Sequence, residues 1–477
     1  MSEGELSYPY RYERTGSVAD ARERFDDIES GSDSGTVLRL AGRLRTIRAH
    51  GKVAFADLQD GTGTLQLFAQ VGVLGEEGMN AFTSLGVGDI VGVEGEVVKT
   101  RRGELSLRVG ETTLLAPCLR PMPDKWHEMT DVEVRYRQRY LDLIQNPSAR
   151  RVVEARSAAN ARIRSFFDER FFLEVETPLL QPIASGAVAR PFVTHHNALD
   201  IDLFLRVAPE LYLKRLLIGG IERVYELNRS FRNEGVSARH NPEFTMLEAY
   251  EAYSDYNDFM TLVEALVRAI AEAVVGGLEV KTPQGTIDLA QPFERTSMFE
   301  AIAQATGRDL EPSWRDEDWH AVESAAAELE VRVDARWTPG RIVAEIFETT
   351  AERSLIAPTF VAGFPKEVSP LAKDHRTLDG FTEHCDLIVN GLEIAPIYSE
   401  LNDPEEQRRR FEQQAAIRAQ GDEEVALPDA DFLEALAYGM PPAAGFGLGL
   451  DRLLTILLGE SSLREVIMFP TLKPEAP

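Results

Sequence analysis

FRNEGVSARHNPEFTMLEAY, residues 231–250, sets two arginines, three glutamates and a histidine among Phe231, Phe244 and Tyr250, and is broken by Gly235 and Pro242. A core strand is not written this way. The flanks are different: RVYELNRSF before it and FTMLEAYEAY within and beyond it read as strands. Two antiparallel strands joined by a charged loop place Arg232 and Phe244 near each other.

Outward from this stretch, IDLFLRVA and HCDLIVNGLEIAPIYSEL also read as strands, and SARRVVEARSAANARIRSFF carries Val152, Ala155, Ala159, Ile163 and Phe166 at helical spacing. Strands and helices do not alternate regularly. The expected class is α+β on a mainly antiparallel sheet flanked by helices, over residues 150–477. Upstream the pattern changes. TVLRLAGRLRTIR, KVAFADLQDGTGTLQLFAQ, DIVGVEGEVVKT and ELSLRVGETTLLAP alternate apolar and polar residues between Gly-rich turns. Five short strands in residues 36–118 suit a small Greek-key barrel of the OB type. Residues 1–35 form a polar extension with a short helix expected in SVADARERFDDIES, and 119–149 read as a linker rich in proline and charge at its start.

The chain has 477 residues, too many for one core, and a net charge of −27. That charge alone argues against a nucleic-acid partner. It is uneven: residues 36–120 hold 10 Lys plus Arg against 9 Asp plus Glu, so the barrel is nearly neutral. Two cysteines, Cys118 and Cys385, lie far apart and match neither a zinc site nor a disulfide framework, which leads us to expect a reducing, cytoplasmic setting. No signal-like leader and no apolar run of about 18 residues is present, so no membrane is expected.

Three separated segments carry chemistry. No GxxxxGK[ST] motif occurs. In 231–250, an arginine and an exposed aromatic on one sheet face suit a triphosphate and a stacked purine, at about 1–3 kcal/mol per base. The same residues also read as a surface hairpin whose ion pairs contribute about 0–1 kcal/mol each. In GFGLGLDR (445–452), glycines ahead of the apolar run LDRLLTILL admit a close ligand, and Arg452 near a helix start suits a phosphate. In DLIVNGLEIAPIYSELND (386–403), Asp386 and Glu393 flank an Asn-Gly turn and are expected to face each other as magnesium ligands, or else to form a solvated acidic turn.

Taken together, FFLEVETPLL with Pro178, FRNEGVSARHNPEF and GFGLGLDR resemble the three signature motifs of class II aminoacyl-tRNA synthetases. The resemblance extends to one family, the class II lysyl-tRNA synthetases of bacterial type, over about residues 36–471. It includes ARPFVTHHNALD, APELYLKRLLIGG, SPLAK and YSELND. It implies an enzyme that activates L-lysine with ATP and Mg²⁺ and charges tRNA(Lys), working as a homodimer with no DNA partner. By that resemblance Pro178 lies in the dimer interface. Arg232 and Arg452 are catalytic, and with Glu234, His240, Asn241, Phe244 and Glu393 they bind ATP. Asp386 and Glu393 bind the metal, with aspartate shorter than the family's usual glutamate. Glu210, Glu248, Tyr250, Tyr398 and Glu400 form the lysine pocket, Glu400 meeting the side-chain ammonium. Phe55, Gln66, Arg43 and Glu111 of the barrel meet the anticodon.

Aspartyl relatives place a basic residue in that pocket, whereas IAPIYSE after Glu393 holds no Arg or Lys, which favours a cationic substrate. One departure stands out. Pro396 occupies a position where family members often carry Asn, so a side-chain amide and a backbone donor are both missing. The competing readings are a paralogue that lysylates a protein or another acceptor, whose known forms lack the barrel, and a non-catalytic tRNA-binding regulator, against which Arg232, Phe244, Glu393 and Arg452 argue.

Overall fold

Strict alternation in the N-terminal segment closes into a barrel in the computed structural model, which describes residues 8–122, 131–183, 186, 189–334, 336–419 and 428–474. The start of the expected extension (1–7) and the middle of the expected linker (123–130) lie outside the described residues. Strands β1 (Asp33–His50), β2 (Val53–Gln59), β3 (Thr64–Gln70), β4 (Ile90–Lys99) and β5 (Leu105–Ala116) close in the order β1-β2-β3-β5-β4. Leu38, Leu40, Ala54, Ala56, Leu58, Leu65, Leu67 and Ala69 face inward and are buried, so every second residue feeds one core. β1 is long enough to pair with both β2 and β4, and its register shifts between Leu44 and Thr46, where the strand bends. The short helix expected before the barrel forms at Val18–Phe25, capped by Ser17 and Asp20, with Val18 and Ala21 in the barrel core.

The chain divides into two units, Met1–Thr130 and Asp131–Pro477. In the second unit, residues 131–149 are helical rather than linker: Val132–Arg137 and Arg139–Gln145 precede the long helix Pro147–Asp168. Arg139 and Asp142 pair in a buried site, and Arg139 also donates to the carbonyls of Arg464 and Met468. The long helix buries Val152, Ala155, Ala159, Ile163 and Phe166, the stripe its sequence spacing predicts.

The remaining strands are β6 (Leu173–Glu174), β7 (Leu180–Gln181), β8 (Val193–His196), β9 (Ile201–Leu205), β10 (Arg223–Phe231), β11 (Glu243–Ala252), β12 (Glu279–Thr282), β13 (Gly285–Asp288), β14 (Glu294–Ser297), β15 (Thr359–Ala362), β16 (His384–Val389), β17 (Leu392–Ser399) and β18 (Ala443–Gly449). Eight of them form one sheet in the order β14-β15-β16-β17-β18-β11-β10-β6. Only the outer pairs β14–β15 and β10–β6 are parallel, so the sheet is mainly antiparallel as expected. Leu247, Ala249, Phe446, Leu448, Leu387 and Ile397 join the sheet to Phe167, Phe259, Val263 and Ile270 of the helices in one core. Residues of β11, β16, β17 and β18, with Arg232 just past β10, line open cavities.

Candidate active site

β10 and β11 pair residue for residue from Arg223↔Glu251 to Phe231↔Glu243, so the charged loop 232–242 leaves the sheet at the end of this pair. As the sequence predicts, Arg232 and Phe244 meet: the guanidinium carbon lies 5.2 Å from the ring centroid. Arg232 is largely buried, and among the described residues its Nε has no hydrogen-bond partner. Arg232 lines two cavities, which also share Met246, Glu393 and Pro396.

One cavity collects Arg232, Glu234, His240, Asn241, Phe244, Glu393 and Arg452 on a single wall. Arg452 is the third residue of helix Leu450–Leu457; its Nη1 donates to the Glu393 carbonyl at 2.8 Å and lies 3.6 Å from Glu393 Oε2. His240 Nδ1 sits 2.9 Å from Ser237 Oγ, and burial, with Arg452 adding to it, holds the imidazole below its ordinary value and therefore neutral. Asn241 does more than line the cavity. Its amide donates to the Glu243 carbonyl at 2.6 Å and its oxygen accepts from the Thr471 amide at 3.3 Å, which holds the loop in place.

The second cavity, of about 320 Å³, is lined by Glu210, Glu248, Tyr250, Tyr398, His384, Asp386 and Glu393 together with Arg232. Burial, reinforced by Glu210, raises the Glu248 carboxyl to about 8, and Tyr250 Oη donates to its Oε2 at 3.0 Å. Glu400 is not on this wall. It is 1 % exposed, beside Tyr250 and Gly445, and burial raises its carboxyl to about 7 while the ammonium of Lys214, 2.5 Å from Oε2, pulls the other way.

The glycines of GFGLGLDR lie in strand β18 and not in a loop ahead of the helix. Gly445 has ordinary strand geometry, but any Cβ there would collide with the Tyr250 ring and Glu400 Oε1. What these residues supply is room for pocket side chains on the neighbouring strands. Asp451, next in the motif, is buried; Arg156 of the long helix pairs with its Oδ1, and its Oδ2 accepts from the Thr245 amide at 2.7 Å. One carboxylate thereby ties β11, the long helix and the helix of Arg452 together.

Asp386 and Glu393 do not face each other directly. The Asn390-Gly391 turn joins β16 to β17, both residues at positive φ, and the register pairs Asp386 with Pro396 and Glu393 with Ile388, shifting at Leu387/Ile388. The two carboxylates sit diagonally on the same wall, and both reach a third cavity with Glu348 and Glu352. Burial raises the Asp386 carboxyl, and Glu393 adds to the rise, while His384 Nε2 at 2.9 Å opposes it. Among the described residues no group of three or more His, Cys, Asp or Glu is arranged to hold a metal. Two hard oxygen donors at a phosphate-sized cavity nonetheless suit Mg²⁺, which keeps water and phosphate oxygens as its other ligands. Pro396 is accommodated because the pairing of β17 with β18 begins only at Ile397.

Several participants were not singled out from sequence. His384 stacks between Phe364 and Tyr398, at centroid distances of 3.9 and 4.5 Å, and its Nδ1 lies 2.7 Å from Ser369 Oγ. Glu348 and Glu352 are each raised to about 7, chiefly by burial. Lys214 carried a readable signal, four residues after Glu210 on the apolar face of LYLKRLL.

On the barrel, Phe55 and Gln66 come together. Phe55 stacks on its cross-strand neighbour Phe68 at 5.1 Å and 12°, and Gln66 pairs with Asp57 one row away. Gln66 Oε1 accepts from Ser106 Oγ at 3.0 Å. Arg43 is further along, in register with Gln59, and its Nη1 donates to the Gly88 carbonyl at 2.6 Å. Glu111 pairs with Glu94 on β4, opposite Arg39 of β1, away from Phe55. Pro178 is exposed. In the same stretch of chain, Phe171, Leu173, Leu179, Leu180, Val193, Leu199 and Ile201 are also exposed. Cys118 and Cys385 are free, and no described helix is long and apolar enough to cross a membrane.

Comparison with known proteins identifies the families that the two parts of the chain match. Residues 131–473 match the family of tRNA synthetases class II (D, K and N), and residues 38–115 match the OB-fold nucleic acid binding domain family. A lysine–tRNA ligase of Moorella thermoacetica is 50% identical over 97% of this chain and 93% of its own length. Lysine–tRNA ligases of Carboxydothermus hydrogenoformans and Xylella fastidiosa are each 48% identical over 98% of this chain and 94% of their own lengths.

Proposed function

Because the chain belongs to the class II lysine–tRNA ligases, we infer that it joins L-lysine to ATP in the paired cavities and passes the lysyl group to the 3′ end of tRNA(Lys). The observation that carries this reading is Arg232. Among the described residues its Nε has no partner, and its side chain lines both a cavity walled by carboxylates and one walled by Phe244 and Arg452. A guanidinium there can hold the substrate carboxylate and the α-phosphate at once.

Adenine then stacks on Phe244, with Arg452 closing the other face and Glu234, His240 and Asn241 shaping the loop around the triphosphate. The amino acid lies over β11 and β18, its α-ammonium at Glu210 and its side-chain ammonium directed to Tyr250, Tyr398 and Glu400. Glu248 lies in the floor beneath. No general base is needed, since the lysine carboxylate is already a nucleophile. One carboxylate oxygen attacks the α-phosphorus in line, the bond to the bridging oxygen breaks, and pyrophosphate leaves with the electron pair. Arg232 and Arg452 neutralise charge that grows on the phosphate oxygens, and the rigid sheet fixes the approach. Asp386 and Glu393 would hold Mg²⁺, which supplies charge neutralisation on the triphosphate when bound. The terminal ribose hydroxyl of tRNA then attacks the carbonyl carbon and AMP leaves.

The barrel, residues 36–118, takes the anticodon on its outer face through Phe55 and Gln66. Phe68 extends the stacking platform, and Arg43 and Glu111 stand at its margins. Exposed apolar side chains around Pro178 form the homodimer contact. Lysine-dependent exchange of pyrophosphate into ATP, followed by charging of tRNA(Lys), tests the reading. The expected result is exchange with lysine and with no other standard amino acid at comparable concentration. Exchange supported by aspartate or asparagine instead would overturn it.

A further inference from the structure

Glu210 and Glu248 line the amino-acid cavity, Glu400 is buried behind it beside Tyr250, and the chain supplies one ammonium between Glu210 and Glu400. That ammonium, Lys214 Nζ, is 0 % exposed, 2.7 Å from Glu210 Oε1 and 2.5 Å from Glu400 Oε2. Helix Glu210–Ile218 places Glu210 and Lys214 one turn apart, and Glu400 reaches them from the end of β17. Arg206 and Glu226, which act on Glu248 in opposite directions, form a buried pair at 2.7 Å. Among the described residues neither buried oxygen of Glu400 has an aligned hydrogen-bond donor, although Lys214 Nζ lies 2.5 Å from Oε2.

We propose that Lys214 is a positioning residue that determines specificity: as a resident counterion it opposes the burial that would neutralise Glu400 and holds the carboxylate oriented, with one oxygen left for the side-chain ammonium of the substrate. The inference rests on the assignment of Glu400 to the lysine pocket. Burial works against the Lys214 charge, but Glu210 and Glu400 outweigh it and hold it protonated above its ordinary value. Without Lys214, an isolated buried carboxylate is costly, so Glu400 takes up a proton and loses its grip on a cation. The neutral 6-hydroxy analogue of lysine then becomes a better competitor.

The test uses K214M, E400Q and the double variant K214M/E400Q in pyrophosphate exchange with lysine and with 6-hydroxynorleucine. K214M is expected to raise KM for lysine about a hundredfold, in line with a broken buried charge pair. Both kcat and KM for ATP should stay within about threefold, and the preference for lysine over the analogue should fall by about the same hundredfold. K214M/E400Q removes both charges, so it remains foldable if K214M is not, and it should match E400Q alone because Lys214 acts through Glu400. A K214M enzyme that keeps its preference for lysine overturns the proposal. So does a double variant that also loses ATP binding, since that is a structural failure. E400Q that keeps the wild-type preference would instead remove Glu400 from the pocket, a distinct result.

Discussion

Glu248 is 4 % exposed, and its carboxyl is held near 8 by burial and by the neighbouring Glu210. Between its ordinary value of 4.5 and about 8, the folded protein keeps a proton that the unfolded chain releases. Ligand-free stability therefore falls as pH rises through that window, by up to ~1.4 kcal/mol per pH unit for this group. E248Q has the same shape without the titration. Thermal unfolding at pH 5.5 and pH 8 should show E248Q gaining on the wild type at the higher pH; parallel curves would mean that Glu248 is already ionised in the fold. Arg452 makes a different case. Its only contacts within hydrogen-bond or ion-pair range among those described are to Glu393, so R452A should fold normally. Pyrophosphate exchange should drop about 10²- to 10³-fold, the scale for losing one charge-stabilising donor. Retained exchange in a folded R452A would remove it from the phosphate site. Pro396 sets two effects against each other: a missing amide contributes about 0.5–1.5 kcal/mol, and a stiffer backbone recovers part of that. P396N should lower KM for lysine modestly with kcat unchanged, and a rise in KM would show that the rigid strand matters more.

At the scale of elements, the β16–β17 hairpin carries both metal-binding candidates, one on each strand beside its turn. Gly391 has φ 67°, and a Cβ there would stand 2.9 Å from the Arg353 carbonyl oxygen. G391A should therefore cost about 1–3 kcal/mol of stability and tilt Glu393, measured as a lower melting temperature and a weaker Mg²⁺ dependence of exchange. This hairpin was legible because Asn-Gly between apolar runs has one favoured geometry. The diagonal placement of Asp386 and Glu393 was not, because the register shift at Leu387/Ile388 depends on neighbouring strands. The glycine run was misplaced for a related reason. Glycine before an apolar helix reads as a loop, but here GFGLG is a central strand whose missing side chains are filled by Tyr250 and Met246. In the barrel, Phe55 and Phe68 form one stacked pair. F55A should weaken tRNA charging by about 1–3 kcal/mol while exchange, which needs no tRNA, keeps its rate. Equal losses in both assays would make the pair a support of the fold.

For the whole molecule, the acidic balance and the site belong to different scales. The net charge of −27 is spread over a chain whose barrel is nearly neutral, so tRNA can meet a surface with little repulsion. The patch around Pro178 exposes Val193 and Ile201 on a small sheet of β7, β9 and β8. Sedimentation should show a dimer, and V193E/I201E should shift it toward monomer; an unchanged dimer would place the interface elsewhere. What the sequence by itself determined was local or chemical: the alternation that closes a barrel, the helical stripe from Val152 to Phe166, the Asn-Gly turn, and the residue types that meet phosphate, base and ammonium. These follow from period, propensity and charge, which neighbours in the chain supply. Only the tertiary structure decided which charges share a cavity. Lys214 shows its apolar-face position in the sequence but not its partner, which β17 supplies in Glu400, and Asp451 reads as a helix-start acid until Arg156 and Thr245 close around it. The reason is that burial and pairing are set by residues tens to hundreds of positions apart. The free energy of a buried charge belongs to the partners the fold assembles, not to its place in the chain.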